Sequence, residues 1–149
     1  MTKRWDYVDP VGIAHHVRSI PTQAGVAACC GIPMVPWADL SERAEDANTC
    51  PLCLENEPKI NAAWERIVAD HNDLVAAMED IREARKAAGI LDPDDGRVYG
   101  RVMTHDALRD RLLSEREVAP DAAARALRAL DDHDEQVARI RQLSPGMVQ

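Results

Sequence analysis

The chain contains no phenylalanine, and its 149 residues carry only three Trp and two Tyr. Leu, Ile and Val together number 31, whereas alanine alone supplies 23 of the apolar residues. About a fifth of the chain is therefore bulky aliphatic, which excludes one packed core running through its whole length. Such a composition points to a small module that needs an extra cross-link, joined to Ala-rich helices that bury narrow seams. Long hydrophobic runs are also missing. The longest, from Val26 to Trp37, is broken by Pro33 and Pro36 and is too short to span a bilayer. No apolar run follows Lys3 and Arg4, so a secretory signal is not expected and the predicted setting is soluble and cytoplasmic. Four cysteines in a reducing compartment read as metal ligands or free thiols rather than disulfides.

Positive charge is the remaining deficit. Lys and Arg total 18 against 26 Asp and Glu, for a net charge of −8. Arg82, Arg85 and Lys86 make one basic cluster and Arg97 with Arg101 another, but carboxylates flank both. Phosphate recognition needs clustered cations, so nucleic-acid binding is disfavoured.

What is present is unevenly distributed. All four Cys and five of the nine Pro lie in residues 1–54, and no Cys follows. This division predicts an α+β protein, mostly α, with a small N-terminal β-hairpin module over 1–54 and a helical region over 55–149. In the latter, Pro58 suits a first helical turn, and Ile60, Trp64, Ile67, His71, Leu74, Met78 and Ile81 recur at steps of four and three. A helix over about 58–88 is expected, ended by Gly89. Its seam needs a partner, either in an intrachain helical hairpin or in a coiled-coil homodimer through Ile60–Ile81. Further helices are expected over about 104–117, capped by Thr104 with Leu108 and Leu112 inward, and about 120–143, with Leu127, Leu130, Val137 and Ile140 inward. Residues 91–96 read as a turn and 97–103 as a short extended piece.

The residues that carry chemistry are His15 and His16, Cys29 and Cys30, and the pair Cys50 and Cys53. A hairpin turning at 21–24 pairs residues whose numbers sum to about 45, setting His15 opposite Cys30 and His16 opposite Cys29 on common faces. Cys50-Pro-Leu-Cys53 reads as a tight turn presenting two thiolates from one knuckle, and tetrahedral Zn2+ then needs two more ligands from the hairpin. Alternation allows either matched pair and disfavours the mixed ones. Gly31, just after Cys30, favours the first, because a glycine there lets backbone N–H groups turn toward the sulfur. The polar, acidic stretch Ser41 to Thr49 reads as a loop.

These residues resemble the small zinc-ribbon proteins of unknown function found in actinobacteria and their phages. That group carries a His-x-Val, an Ala-x-Cys-Gly and a Cys-Pro-x-Cys, matched here by His15-x-Val17, Ala28-Cys-Cys-Gly31 and Cys50-Pro-x-Cys53. The likeness covers residues 12–54, and the doubled His and Cys and the long helical extension depart from it. It implies a Zn2+ site on His15, Cys30, Cys50 and Cys53, and it implies no particular role.

Other chemistries fit less well. An iron–sulfur regulator needs a fourth Cys soon after Cys53, and a redox dithiol needs a strand before it and a helix opening at its first Cys. His71, within Asp70-His71-Asn72, lacks the hairpin of a His-Asn-His nuclease and reads as a polar seam residue that fixes helix register. Asp92 to Gly96 is a poor calcium loop, with Met103 at position twelve. His105 and His133, among charges on expected helices, read as solvated. The sequence thus predicts a non-enzymatic protein-interaction module, an adaptor or inhibitor with a structural Zn2+, whose expected partner is a protein. The alternative is a zinc-ribbon nucleic-acid-binding transcriptional regulator.

Overall fold

A computed structural model describes residues 3–19, 25–32, 35–36, 39–44, 48–90 and 104–147. The expected turn at 21–24, Trp37, the 91–96 turn and the 97–103 piece with Arg97 and Arg101 lie outside them. The fold is α+β and mostly α. Among the described residues six short strands lie between Lys3 and Ala44 and are followed by α1 (Pro51–Ala87), α2 (His105–Ser114) and α3 (Pro120–Leu143), with 3₁₀ turns at Glu115–Glu117 and Pro145–Met147. Two compact units result, 1–65 with 135–149 and 66–134, a spatial division different from the compositional one at residue 54.

In the first unit, β1 (Lys3–Val8) pairs antiparallel with β2 (Ala14–His15), and Tyr7 lies opposite His15. On its other edge β1 pairs with β6 (Leu40–Ala44), Tyr7 opposite Leu40. Part of the stretch expected as a loop is therefore a strand. Its pairing is made by backbone groups, while Ser41 and Glu42 stay exposed on an edge position that tolerates polar side chains. A second sheet joins β3 (Val17–Ser19), β4 (Gly25–Ala28) and β5 (Val35–Pro36). Its register, Val17 opposite Ala28 and Ser19 opposite Val26, is the sum of 45 that the hairpin predicted.

Helix α1 begins seven residues before the expected start at Pro58. Pro51 takes the first helical position, where its missing N–H is harmless, and Leu54 N–H donates to the Cys50 carbonyl at 3.1 Å. The Cys50–Cys53 stretch is thus a helix entry rather than a free tight turn. Pro58 sits inside the helix, where it removes the bond to the Leu54 carbonyl. Both residues are exposed, so water can serve that carbonyl.

The buried face of α1 also differs from the expected one. Ile60, Ile67 and Ile81 are buried and Trp64, Leu74 and Met78 half-buried, as expected of a seam, but His71 is exposed and the deepest intervening positions are Ala63 and Ala77, with Asp70 half-buried. His71 therefore fixes no register, and Trp64 turns its ring under Arg18, whose guanidinium carbon lies 5.2 Å from the ring centroid. Methyl side chains at the intervening positions let a facing helix approach more closely than Trp or Met would.

In the second unit, Ala77 and Ile81 of α1 form one cluster with Leu112 of α2 and Ala122, Ala126, Leu127 and Leu130 of α3. Leu108 packs at its edge, as expected, and Thr104 caps α2 by accepting from Ala107 N–H at 3.2 Å. Arg125 donates to Asp80 at 2.6 Å and Arg66 pairs with Asp132, so α1 and α3 run antiparallel here. This part of the seam is covered by the same chain, the hairpin alternative of the two considered. Buried Glu115 is held by Arg85 Nη1 at 2.8 and 3.0 Å from its two oxygens. Among the described residues no helix is long and apolar enough to cross a membrane.

Candidate metal centre

The short strand β2 organises the site. Its Ala14 N–H donates to the Asn48 carbonyl at 2.8 Å, and the Ala14 carbonyl accepts from Cys50 N–H at 2.7 Å. Held between β1 and this incoming segment, His15 is placed beside the start of α1. On the other side Cys29 N–H donates to the His16 carbonyl at 2.8 Å, which carries the β3–β4 register back to the level of Cys30. Chain reversal after β4 needs Gly31, whose φ of +98° suits glycine alone. Its N–H bonds to the Ala28 carbonyl at 3.1 Å. The glycine therefore serves the turn rather than the sulfur contact for which the sequence favoured it.

The result gathers His15, Cys30, Cys50 and Cys53, each offering one donor atom within 4.8 Å of the others. His15 Nδ1 lies 3.4 Å from Cys30 Sγ and 3.9 Å from Cys53 Sγ. A tetrahedral ion with Zn–N near 2.0 Å and Zn–S near 2.3 Å separates such donors by about 3.6 Å, so the group fits a metal ion as it stands. None of the four cysteines is in a disulfide.

The surroundings favour ligation. His15 Nε2 is 2.9 Å from Asp9 Oδ2, and the other oxygen of Asp9 accepts from Val11 and Ile13 N–H at 3.0 Å each. A carboxylate behind a ligating imidazole fixes its ring and leaves Nδ1 free for the metal. That pairing with His15, together with the two amide bonds, holds the Asp9 carboxyl below its ordinary range. Tyr7 stacks on the His15 ring at 5.8 Å between centroids. Burial opposes ionisation of Cys50, but the amides of Cys53 and Leu52 in the first turn of α1, with the Cys53 and Cys30 side chains, pull its thiol below the ordinary value. Cys53, buried beside Cys30 and Cys50, is pushed up, and a cation at the centre would supply the charge that lets it ionise.

The alternative members of the two doublets face elsewhere. His16 Nδ1 lies 2.9 Å from Glu57 Oε2, and Cys29 Sγ is 4.0 Å from the same oxygen. Glu57 also accepts from Arg4 Nη2 at 2.8 Å, and Arg4 pairs with Asp6 at 2.9 Å. Burial and the Glu57 charge push the Cys29 thiol up to about 12, so it stays protonated. Successive residues of each doublet thus face apart, His16 just after β2 and both Cys in the turn after β4, which separates a thiol and imidazole group of ligating character from an ion-pair network that ties β1 to α1. The Asn56 side chain donates to the Cys29 carbonyl at 2.9 Å, and the Ser144 hydroxyl to that of Ala28 at 2.8 Å, which anchors the hairpin end.

Sequence reasoning passed over Asp9. Its signal was present in Asp9-Pro10-Val11-Gly12, a turn whose Asp caps following amides and whose Gly12 adopts φ +89°. The helix that opens at Pro51 also removes one objection to a redox dithiol, yet His15 and Cys30 beside the pair are the complement of a metal site. No protein family, curated protein or solved structure matches the chain.

Proposed function

We propose that the chain is a protein-interaction module, an adaptor or inhibitor of a cellular protein, whose N-terminal part is held by a structural Zn2+ on His15, Cys30, Cys50 and Cys53. The observation that carries this reading is the donor set, three thiols and one imidazole within 4.8 Å of one another. Three sulfurs and a nitrogen in tetrahedral reach suit Zn2+ above harder ions. The ion would cross-link β2, the turn after β4 and the start of α1, and with four protein ligands it keeps no open position, so the proposed role is non-catalytic. A cytoplasmic setting belongs to the proposal, because the ligands must stay reduced.

Two features support a protein partner. Trp5, 60% exposed, and Leu52 and Leu54, at 46% and 56%, are large apolar groups on the surface of the first unit. Arg82 lies 3.7 Å from Glu79 and Arg85 is committed to Glu115, so the basic cluster of the sequence is largely neutralised. With a net charge of −8, this favours a protein partner over nucleic acid.

Native mass spectrometry of the purified chain should show one Zn2+. His15→Ala should lose it and His16→Ala should keep it; equal loss or equal retention overturns the ligand set. Affinity capture should survive nuclease treatment and weaken in Trp5→Ala. A partner that vanishes with nuclease would move the reading to the zinc-ribbon regulator.

A further inference from the structure

His105 and His133, expected to be merely solvated, meet in the second unit. With Asp134 they offer three donor atoms that all lie within 4.8 Å of one another. His105 is the first residue of α2, fixed by the Thr104 cap, while His133 and Asp134 are consecutive on α3. Asp134 Oδ1 lies 2.8 Å from His105 Nδ1 and 3.6 Å from His133 Nδ1, and the rings meet edge to face at 4.9 Å. The second carboxylate oxygen, Oδ2, accepts from Arg109 Nη2 at 3.2 Å, and Arg109 also pairs with Asp131.

His133 Nδ1 is shielded from solvent and has no hydrogen-bond partner among the described residues. Its 3.6 Å approach to Oδ1 is within ion-pair reach but too long for an N–H···O bond, so a buried ring nitrogen lies beside a carboxylate without a hydrogen bond to it. A metal ion resolves that arrangement. Bonds of about 2.0 Å at a tetrahedral angle place adjacent N and O donors about 3.3 Å apart, between the two observed spacings. His105 and Asp134 are each about half exposed and can open by the few tenths of an ångström required. Arg109 on the outer oxygen would orient the carboxylate, as groups behind metal ligands do.

We propose that His105, His133 and Asp134 form a second metal site, independent of the thiolate centre, that takes a divalent first-row transition ion through two imidazoles and one carboxylate. Zn2+ is the ion the set fits best, with water in the fourth position; Mg2+ and Ca2+ prefer all-oxygen shells. Lacking thiolates and lying partly exposed, the site binds more weakly and exchanges faster than the Cys3His centre. Occupied, it clips the start of α2 to α3.

The test is calorimetric titration of the full-length, untagged chain with Zn2+, with Mg2+ as control. The wild type should take one Zn2+ equivalent more than His105→Ala and His133→Ala, Mg2+ should give none, and His71→Ala, which removes an exposed imidazole of α1, should match the wild type. Co2+ at the extra equivalent should give d–d absorption without thiolate-to-metal charge transfer. Circular dichroism of the variants establishes that helix content is unchanged. Equal stoichiometry in the wild type and both His variants, or loss of the equivalent in His71→Ala as well, overturns the proposal.

Discussion

Residues 1–65 with 135–149 and residues 66–134 answer the same shortage of bulky apolar side chains in different ways. The first unit gathers polar and soft groups. Its four-residue donor cluster, the Asp9–His15 pair and the Arg4–Glu57–His16 network lie among short strands that bury mainly alanines and valines, with few larger side chains. The second unit uses close approach. Ala77, Ala119, Ala122 and Ala126 line its core beside Leu112, Leu130 and Ile81, and the small side chains let helices pack at short range. The proposed metal cross-link would concentrate stabilisation in a few atoms, whereas alanine packing spreads it along a seam. The first should fail abruptly when one ligand is lost, and the second gradually.

Metal removal tests the contrast with the largest effect. Structural zinc contributes about 10 to 16 kcal/mol of apparent folding free energy in small zinc peptides. Chelation, or Cys53→Ser, should therefore abolish amide protection in β1–β4 while leaving residues 66–87 and 120–134 protected in hydrogen exchange. Loss of protection in both units together would show that their stabilities are not separable. Because thiols and His15 must be deprotonated to ligate, the same loss should follow acidification.

A smaller effect is expected from overpacking the seam. Ala77 is fully buried, so Ala77→Leu should destabilise the second unit by about 1 to 3 kcal/mol in urea denaturation while the Zn2+ content is unchanged. A neutral result would mean that close helix approach is not what the alanines provide.

The smallest effect concerns Asp70, which holds a seam position. Burial and neighbouring Asp132 push its carboxyl up to about 6, against Arg66, which draws it down. A carboxyl raised in the folded state holds its proton there more tightly than in the unfolded chain. Its stabilising contribution is present below about pH 4 and is lost as pH rises through about 6. Asp70→Asn should remove that slope and stabilise the second unit at pH 7, by about 0.5 to 1 kcal/mol because the group is partly exposed. A wild-type stability flat between pH 4 and 6.5 would contradict this.

The hairpin register was legible because alternation has a period of two; it narrowed the ligands to two matched pairs, His15 with Cys30 or His16 with Cys29, without deciding between them. Helices α2 and α3 were legible from a Thr cap, a Pro and apolar spacing. Strand β6 was not, since Leu40–Ala44 pairs through its backbone while its polar side chains look like a loop. The α1 seam was half legible: large residues mark Ile60, Ile67 and Ile81, but Ala63 and Ala77, whose burial is as deep, carry no apolar bulk to mark them. Asp9 was overlooked because a turn-capping Asp and a ligand-orienting Asp look alike in sequence.

The donor chemistry, the hairpin register, the helical content and the acidic balance follow from residue type and local periodicity, which act over a few neighbours. Long-range packing sets which imidazole meets which thiol and brings His105 and His133 to Asp134. The imidazole–thiol and His105–Asp134 meetings join residues 15 to 38 positions apart, and only the packing of strands and helices brings their atoms within a few ångströms.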